Sequence, residues 1–487
     1  MSIASTAARG VAWNMFFGVG SRVIQLVGTL VLTRFIAPDA YGAVIAASLI
    51  VVTIGTFTSF AFGQYLIANK SDAEVSFQAM MLHVLLGIVT MAILVALRDP
   101  VARWIGSPAA AMFLPGFAVA HILERVRYVP ERLLMRQLRF RAMATINGCC
   151  EILFTIVALA FAPRYGAFAI LIATLVRATV STTLFLIVSP RSQWLSVCAL
   201  RIETMRALLA YGVPIMITAI ADRAATRWDS LLMSKLFGPA VMARYNLSYS
   251  LAEMPIGHVA EHIGDVLMPT FALMEEKQRH AAVVRSAALM SLVVSPLGVG
   301  LGALAPVIVT TFFDARWAAM APMLMVLSVM TVFRPMTWPA VAYLQAVSKT
   351  GLIMTVSVVR GVVVLALVAT FGWIGGPVWA CAGACLGYFL HTVVTVCVAG
   401  WATGLSIKHY LVGVARPLLA CIPMFVAVSM LSQRFSALHV LPAVTLLAQI
   451  VVGAVVFVVS AYVFAGATLR ELVRLAGKVV LRPQPQS

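Results

Sequence analysis

Charge is what this chain is short of. Only 11% of its 487 residues are Asp, Glu, Lys or Arg, against about 25% in a soluble globular protein. A soluble fold coats itself with polar side chains, and with 62% of residues in the set AVILMFWYC and a mean hydropathy of +0.99 there are too few here to do so. A soluble protein is excluded, and the remaining solvent is lipid. A β-barrel in lipid would read as alternating segments of about ten residues. The apolar runs here are long and continuous, as spanning helices of about 20 residues require.

Other shortages narrow the chemistry. The seven cysteines, an odd number, include no C-x-x-C pair, and six of them fall inside apolar runs, so they read as small buried hydrophobes and not as disulfides or a zinc site. A phosphate-binding loop is missing. Gly298, Gly300 and Gly302 alternate inside an apolar helix without the strand or later acid of a nucleotide fold, and Lys349-Thr350 follows Ser348 where a P-loop needs glycine. Connections between apolar runs are short, leaving no room for a soluble domain. The first run, with Asn14, Arg22 and Gln25, ends without a small-residue cleavage site and reads as a retained helix.

What is plentiful is helix of membrane length. Breaking the apolar stretches at charge, Pro and Gly clusters predicts fourteen helices near 11–33, 41–67, 77–97, 109–128, 144–163, 166–188, 207–230, 239–267, 285–309, 317–345, 351–371, 376–400, 411–431 and 440–466. The 35 bases outnumber the 17 acids, a formal +18. In a soluble chain that surplus would suggest nucleic acid; in a membrane chain it is first a matter of topology. With a cytoplasmic N-terminus, twenty bases fall on the inner side, seven outside and eight within helices. The positive-inside rule therefore places both termini in the cytoplasm. The stretch Arg125 to Arg141, with Leu133, Leu134, Leu138 and Phe140 interleaved, reads as an interfacial loop on anionic lipid.

A repeat runs through the chain. Thr33-Arg34-Phe35-Ile36-Ala37-Pro38 closes the first helix and Ser234-Lys235-Leu236-Phe237-Gly238-Pro239 the seventh, and the same offset pairs Arg22 with Arg223. It predicts two six-helix halves in parallel orientation, 1–200 and 201–400, then two extra helices over 401–467 and a cytoplasmic tail at 468–487. Gly383 and Gly387 form a G-x-x-x-G helix contact.

Ionised side chains inside the bilayer cost about 2.5–3.5 kcal/mol each on insertion scales. Arg22, Arg177, Arg223, Arg227, Arg244, Arg334, Arg360 and Arg416 must therefore meet acids, water or a ligand, with Arg177, Arg334 and Arg416 placed to snorkel from helix ends. Asn14, Gly18, Ser21, Arg22 and Gln25 form one polar stripe on the first helix. On the seventh, Asp222, Thr226 and Asp229 share one face and Arg223 and Arg227 the next. That arrangement reads either as an ion-pair ladder or as arginines left for an anionic substrate, since guanidinium binds phosphate oxygens bidentately. Arg244 and Glu253 add to the polar set. His258, Glu261, His262 and Asp265 share a face of the eighth helix; with no third ligand downstream they read as a packing or proton-titrating face and not as an H-x-x-E-H zinc site.

These residues also carry a family resemblance. Arg9-Gly10, Trp13, Gln25, Gly28, Leu32, Arg34, Pro38 and Tyr41-Gly42 resemble the first two helices of Wzx-like lipid-linked oligosaccharide flippases. The stretch Pro130 to Arg141 is similar to their loop between helices 4 and 5. Tyr211-Gly212-Val213-Pro214, Asp229, Gly238-Pro239, Tyr245-Asn246, Pro255, Pro269-Thr270-Phe271, Arg316-Trp317 and Ala346 to Lys349 follow in order. The resemblance covers about residues 9 to 400 and departs at Ala61-Phe62-Gly63, where many members have Asp-Leu-Gly.

The resemblance implies the multidrug/oligosaccharidyl-lipid/polysaccharide exporter fold, an all-α membrane protein with two six-helix lobes around a central cavity. It also implies transport without an enzymatic step, in a bacterial cytoplasmic membrane. The implied cargo is an oligosaccharide on undecaprenyl pyrophosphate, with a polymerase and a chain-length regulator as partners and no nucleic acid. No cofactor is implied. A proton or sodium gradient, or the membrane potential, would drive the cycle, with Asp222, Asp229, Glu253, Glu261, Asp265 and His258 as candidate coupling groups. Arg22 takes the role of a cavity arginine from the resemblance, and Arg223 from the repeat alone. A cation-coupled drug antiporter of the same superfamily, or a membrane-embedded polysaccharide polymerase or ligase, is the alternative; the first would favour acids in its cavity, the second a large external loop.

Overall fold

The structure is a computed structural model that describes residues 20, 24–68, 72–137, 139–199, 201–438 and 440–481; within these, the side chains of 68, 225, 255–266, 269, 276–277 and 475–481 lie outside the description. Among the described residues there is no strand. The chain divides into two compact units, residues 1–243 and 244–487.

The first unit contains α1 (Ile24–Phe35), then α2 (Pro38–Thr56), α3 (Phe62–Ala68), α4 (Ala73–Ala96), α5 (Arg98–Trp104), α6 (Leu114–Arg136), α7 (Phe140–Tyr165), α8 (Phe168–Val188) and α9 (Ile202–Phe237). Pro38 opens α2 with Asp39 in its first turn, where a preset φ and a negative charge suit the donor-rich helix start. The single helix expected over 41–67 is two. The chain leaves helical geometry after Thr56 and restarts at Phe62, with Ala61 at a left-handed φ of 50°. The helix expected to open a second lobe, α9, packs on α2, α3 and α4 of the first unit. Two motif glycines permit this closeness. A Cβ on Gly212 would stand 2.0 Å from the Phe60 carbonyl oxygen, and one on Gly42 would stand 1.9 Å from that of Pro239. In both copies of the repeat motif a helix ends and a proline starts the next, and Thr33 and Ser234 are equally buried.

The long helix α10 (Pro239–Leu273) leads into the second unit. There follow α11 (Glu276–Phe312), α12 (Met320–Met336), α13 (Trp338–Ala346), α14 (Thr350–Gly375), α15 (Pro377–Thr403), α16 (Ile407–Ala437) and α17 (Pro442–Leu481). The expected helix 317–345 is divided at Thr337, between Pro335 and Pro339. Gly383 and Gly387 make the helix contact read from their spacing, setting α15 against Leu367 and Val364 of α14. The main core cluster joins Val283, Met336, Tyr343, Val396 and Tyr410. The last helix breaks at Ala465, whose φ of −134° and ψ of 30° are not helical, and it continues as helix through Leu481, beyond the expected start of a tail.

Eleven helical segments among the described residues, α12 and α13 together counting as one, are long and apolar enough to cross a membrane, so the chain is a multi-pass membrane protein. Of the fourteen expected segments, three fall outside that set. For the first, only Ile24–Phe35 appears as a shorter apolar helix. The fourth, α6, carries Glu124, Arg125, Arg127 and Glu131, and the eighth, α10, carries Arg244, Asn246 and Glu253.

Candidate functional site

Bilayer energetics make the intramembrane charges the place to look, and the structure sorts them by how they are satisfied. The break between α2 and α3 frees backbone carbonyls, and Arg125 of α6 takes them. Its guanidinium donates to the oxygens of Gly55 at 2.6 Å, Thr58 at 3.1 Å and His83 at 3.1 Å, to the Thr58 hydroxyl at 2.8 Å and to His121 Nε2 at 3.2 Å. Arg125 is only 3% exposed. Glycines make the room: a Cβ on Gly87 would lie 2.3 Å from Arg125 Cδ, and one on Gly55 would lie 2.3 Å from His121 Nε2.

The expected interfacial loop is therefore corrected. Residues up to Arg136 are helix, Val129, Leu133 and Leu134 are buried, and Arg125 is a structural anchor. The neighbouring bases serve the unit as well. Arg127 pairs with Glu131, Arg132 lies over the Tyr128 ring, and Arg136 donates to the Leu66 carbonyl.

Two of the arginines placed to snorkel are paired. Arg177 of α8 donates to Glu151 of α7 at 2.7 Å and reaches Glu124 of α6 at 3.3 Å, with its guanidinium over the Phe154 ring. In the second unit Arg334 of α12 pairs with Glu253 of α10. Sequence reasoning missed both clusters, because each unites residues from separate helices at separations of 26 to 81 positions.

The remaining candidates divide. Arg223 and Arg227 stand one turn apart on α9, both half-buried. Among the described residues neither forms a hydrogen bond or an ion pair, so the ladder with Asp222 and Asp229 is not closed through them. Arg223 lies within electrostatic reach of Arg227, Asp222 and His121. Asp222 is exposed; Asp229 is buried and accepts from the Ser230 backbone N–H at 2.7 Å. Gln25 is exposed on α1. Arg244, in the second unit, donates to the Arg316 carbonyl at 3.1 Å, beside the Asp314–Arg316 pair. Asn14 and Arg22 lie outside the described residues, as do the side chains of His258, Glu261, His262 and Asp265 on α10.

Chemically, the pair on α9 is the arrangement best suited to an anion. Like charges four residues apart on a helix repel, and two guanidinium groups with no carboxylate bonded to them among the described residues offer paired N–H donors to phosphate-type oxygens. A group carrying two adjacent negative charges would relieve that repulsion and satisfy both donors.

Comparison with known proteins gives the fold and the family. Among curated relatives, the succinoglycan biosynthesis transport protein ExoT of Rhizobium meliloti (strain 1021) is 24% identical, covering 97% of this chain and 96% of its own. The lipopolysaccharide biosynthesis protein WzxC of Escherichia coli (strain K12) is 21% identical over 88% and 87% of the two chains. Among solved structures, the lipid II flippase MurJ in an inward closed conformation superposes with a TM-score of 0.75 at 15% identity, covering 94% of this chain and 99% of that one. An inward-facing multidrug resistance MATE transporter follows with a TM-score of 0.61 at 16% identity, covering 79% and 95%. These likenesses give the fold. The profile of the family described as polysaccharide biosynthesis protein matches residues 31–322, well over half of the chain, and the chain belongs to that family.

Proposed function

We propose that this protein is a flippase that turns undecaprenyl-pyrophosphate-linked oligosaccharide units from the cytoplasmic to the periplasmic leaflet of the cytoplasmic membrane, for assembly of a surface polysaccharide. The observation that carries the reading is the contrast among the membrane arginines. Arg125, Arg177 and Arg334 are consumed by carbonyls and carboxylates, whereas Arg223 and Arg227 bond to no described residue. In the proposed cycle of alternating access, Arg223 and Arg227 hold the pyrophosphate in a cationic cavity, and Arg22 contributes to it by the family resemblance. Asn14 and Gln25 offer amides to the sugars.

The full-length likeness to a succinoglycan transport protein supports the cargo class. The drive is a proton or sodium gradient acting through Asp222, Asp229, Glu261, Asp265 or His258, or the membrane potential acting on the cationic site, at about 2.3 kcal/mol per charge per 100 mV. Glu253 joins that set only if it exchanges Arg334 for the ion. A polymerase and a chain-length regulator would take up the flipped unit.

A cation-coupled drug antiporter, the second reading, draws on the likeness to multidrug MATE transporters. It would need carboxylates open to a cationic drug. Glu124, Glu151 and Glu253 are instead held by arginines, and the exposed Asp222 stands next to Arg223, which favours the first reading.

The test is complementation of a strain lacking its own flippase. Arg223→Gln with Arg227→Gln should lower polymer export at least tenfold while the protein stays in the membrane and the lipid-linked intermediate accumulates. Arg22→Ala should abolish export. Normal export in both variants refutes the assignment.

A further inference from the structure

The second unit has a cleft of about 610 Å³ where the start of α11, the turn at 404–406, the start of α16 and the segment of α17 beyond its break come together. His280, Arg285, Ser406, His409, Arg416 and Glu471, with Thr468, supply its polar lining. Most of these groups are already oriented. Arg285 pairs with Glu471, His280 Nε2 lies 2.9 Å from the Tyr343 hydroxyl and 3.0 Å from the Thr403 carbonyl, and His409 Nδ1 lies 2.7 Å from the Ser406 hydroxyl. Arg416 differs. It is exposed, and among the described residues it has no hydrogen bond or ion pair. The cleft thus presents one uncommitted guanidinium, one shared with a carboxylate, and two imidazoles.

A second hollow lies further along α16. About 370 Å³ in volume, it is lined only by apolar or weakly polar side chains, among them Val299, Leu418, Leu419, Ile422 and Phe425. Ala415 and Leu419, which flank Arg416 on α16, belong to this lining. From Arg416 to Phe425 the helix rises about 13 Å, so the apolar hollow extends from the guanidinium along the span.

The depth follows from topology. The turn at 404–406 joins two apolar spans, Pro377–Thr403 and Ile407–Ala437, and a turn between spans lies at the membrane surface. Beyond Ala465, Leu469 and Leu472 pack on the cluster of Leu292 and Ala420, and Arg470 and Arg474 follow one turn apart, at the end of the span Pro442–Arg474. Basic residues in that position face the headgroup layer.

We propose that cleft and hollow together form a binding site for an anionic membrane phospholipid, its phosphate held by Arg416 and Arg285 and one acyl chain lying along α16 over Leu419, Ile422 and Phe425. The ligand chemistry of the cleft alone is a phosphate monoanion. The apolar hollow further along α16 selects a lipid over a soluble phosphate, which would gain nothing from it. By the charge count this end of the protein is cytoplasmic, so the lipid comes from the inner leaflet. The site involves none of the residues assigned to the flipped cargo and stands or falls separately from that reading.

The experiment is native mass spectrometry of the full chain in detergent with dioleoylphosphatidylglycerol as probe, repeated with inorganic phosphate as competitor. The wild type should retain one lipid that Arg416→Gln binds about tenfold more weakly and that Arg416→Lys largely regains. Filling the hollow with Ile422→Trp should weaken retention severalfold, and excess inorganic phosphate should not displace the lipid. Equal retention by wild type and Arg416→Gln overturns the site. Retention untouched by Ile422→Trp but abolished by inorganic phosphate overturns the lipid as its occupant. Arg416 is exposed and Ile422 faces a void, so each variant is decisive without the other.

Discussion

Gly87 and Arg125 provide a test in which helix propensity and packing predict opposite signs. Alanine is favoured over glycine inside a helix by about 1 kcal/mol, and Gly87 lies well inside α4. Propensity alone makes Gly87→Ala stabilising. The added Cβ, however, would stand 2.3 Å from Arg125 Cδ, at least 1 Å too close for two carbons. The arginine stem cannot swing aside without moving a guanidinium bonded to three carbonyls and the Thr58 hydroxyl. A displacement of that size breaks at least two bonds to a charged donor, each contributing about 1.5–3 kcal/mol. It also leaves the Thr58 carbonyl, freed by the helix break, without its donor.

After subtracting the propensity gain, Gly87→Ala should destabilise by about 2–5 kcal/mol. With Arg125→Ala in the background the obstruction is gone and only the propensity gain of about 1 kcal/mol remains. The coupling between the two positions is then about 3–6 kcal/mol. Gly300→Ala in α11, whose new Cβ would meet only Met424 Cε at an ordinary 3.7 Å, is the control. The measurement is thermal unfolding of purified protein in detergent. Gly87→Ala should lower the melting temperature in the wild type and raise it in the Arg125→Ala protein, while Gly300→Ala raises it in both. A rise for Gly87→Ala in both backgrounds would refute the role given to Arg125.

Two further perturbations follow from the same packing. Gly212→Ala puts a Cβ 2.0 Å from a backbone oxygen of Phe60, and a backbone cannot rotate away as a side chain can; fluorescence-detected size-exclusion chromatography should show loss of the monodisperse folded peak. Arg177→Met leaves Glu124 and Glu151 without their counter-charge and should cost about 1.5–3 kcal/mol, the range for a hydrogen bond to a charged group. Adding Glu124→Gln and Glu151→Gln should return most of the lost melting temperature, and failure to do so would mean that Arg177 packs and does not neutralise.

The helices were legible because a spanning helix must satisfy its backbone internally and show lipid an apolar surface, and both demands are written locally. Gly383 and Gly387 were legible for the same reason, since their spacing alone puts them on one face. Arg125 was not. A run of arginines with leucines interleaved reads the same whether it lies on lipid or plugs a broken helix. What decides is a set of carbonyls freed at residues 55 to 58, some 70 positions earlier in the chain. The nearest signals were the glycines at 55 and 87, whose missing side chains make the space, and glycine in an apolar helix has many other uses. Arg177 was misread for a related reason: its partners Glu124 and Glu151 lie on two other helices, and snorkelling is the default for an arginine whose partners are unknown.

The membrane arginines can be ordered by what the fold spends them on. Each one must recover about 2.5–3.5 kcal/mol of insertion cost. Arg125 recovers it from carbonyls, and Arg177 and Arg334 from carboxylates; substituting these perturbs stability first and transport only as a consequence. Arg223, Arg227 and Arg416 form no hydrogen bond or ion pair among the described residues, which leaves them open to water or a ligand on the proposed reading. On that reading, substitution there removes a charge to which no described residue is bonded. Those three should therefore be the positions where charge can be neutralised with the melting temperature held and function lost. If Arg223→Gln or Arg227→Gln unfolds the protein as Arg177→Met does, the guanidinium has a structural partner and the binding assignment fails with it.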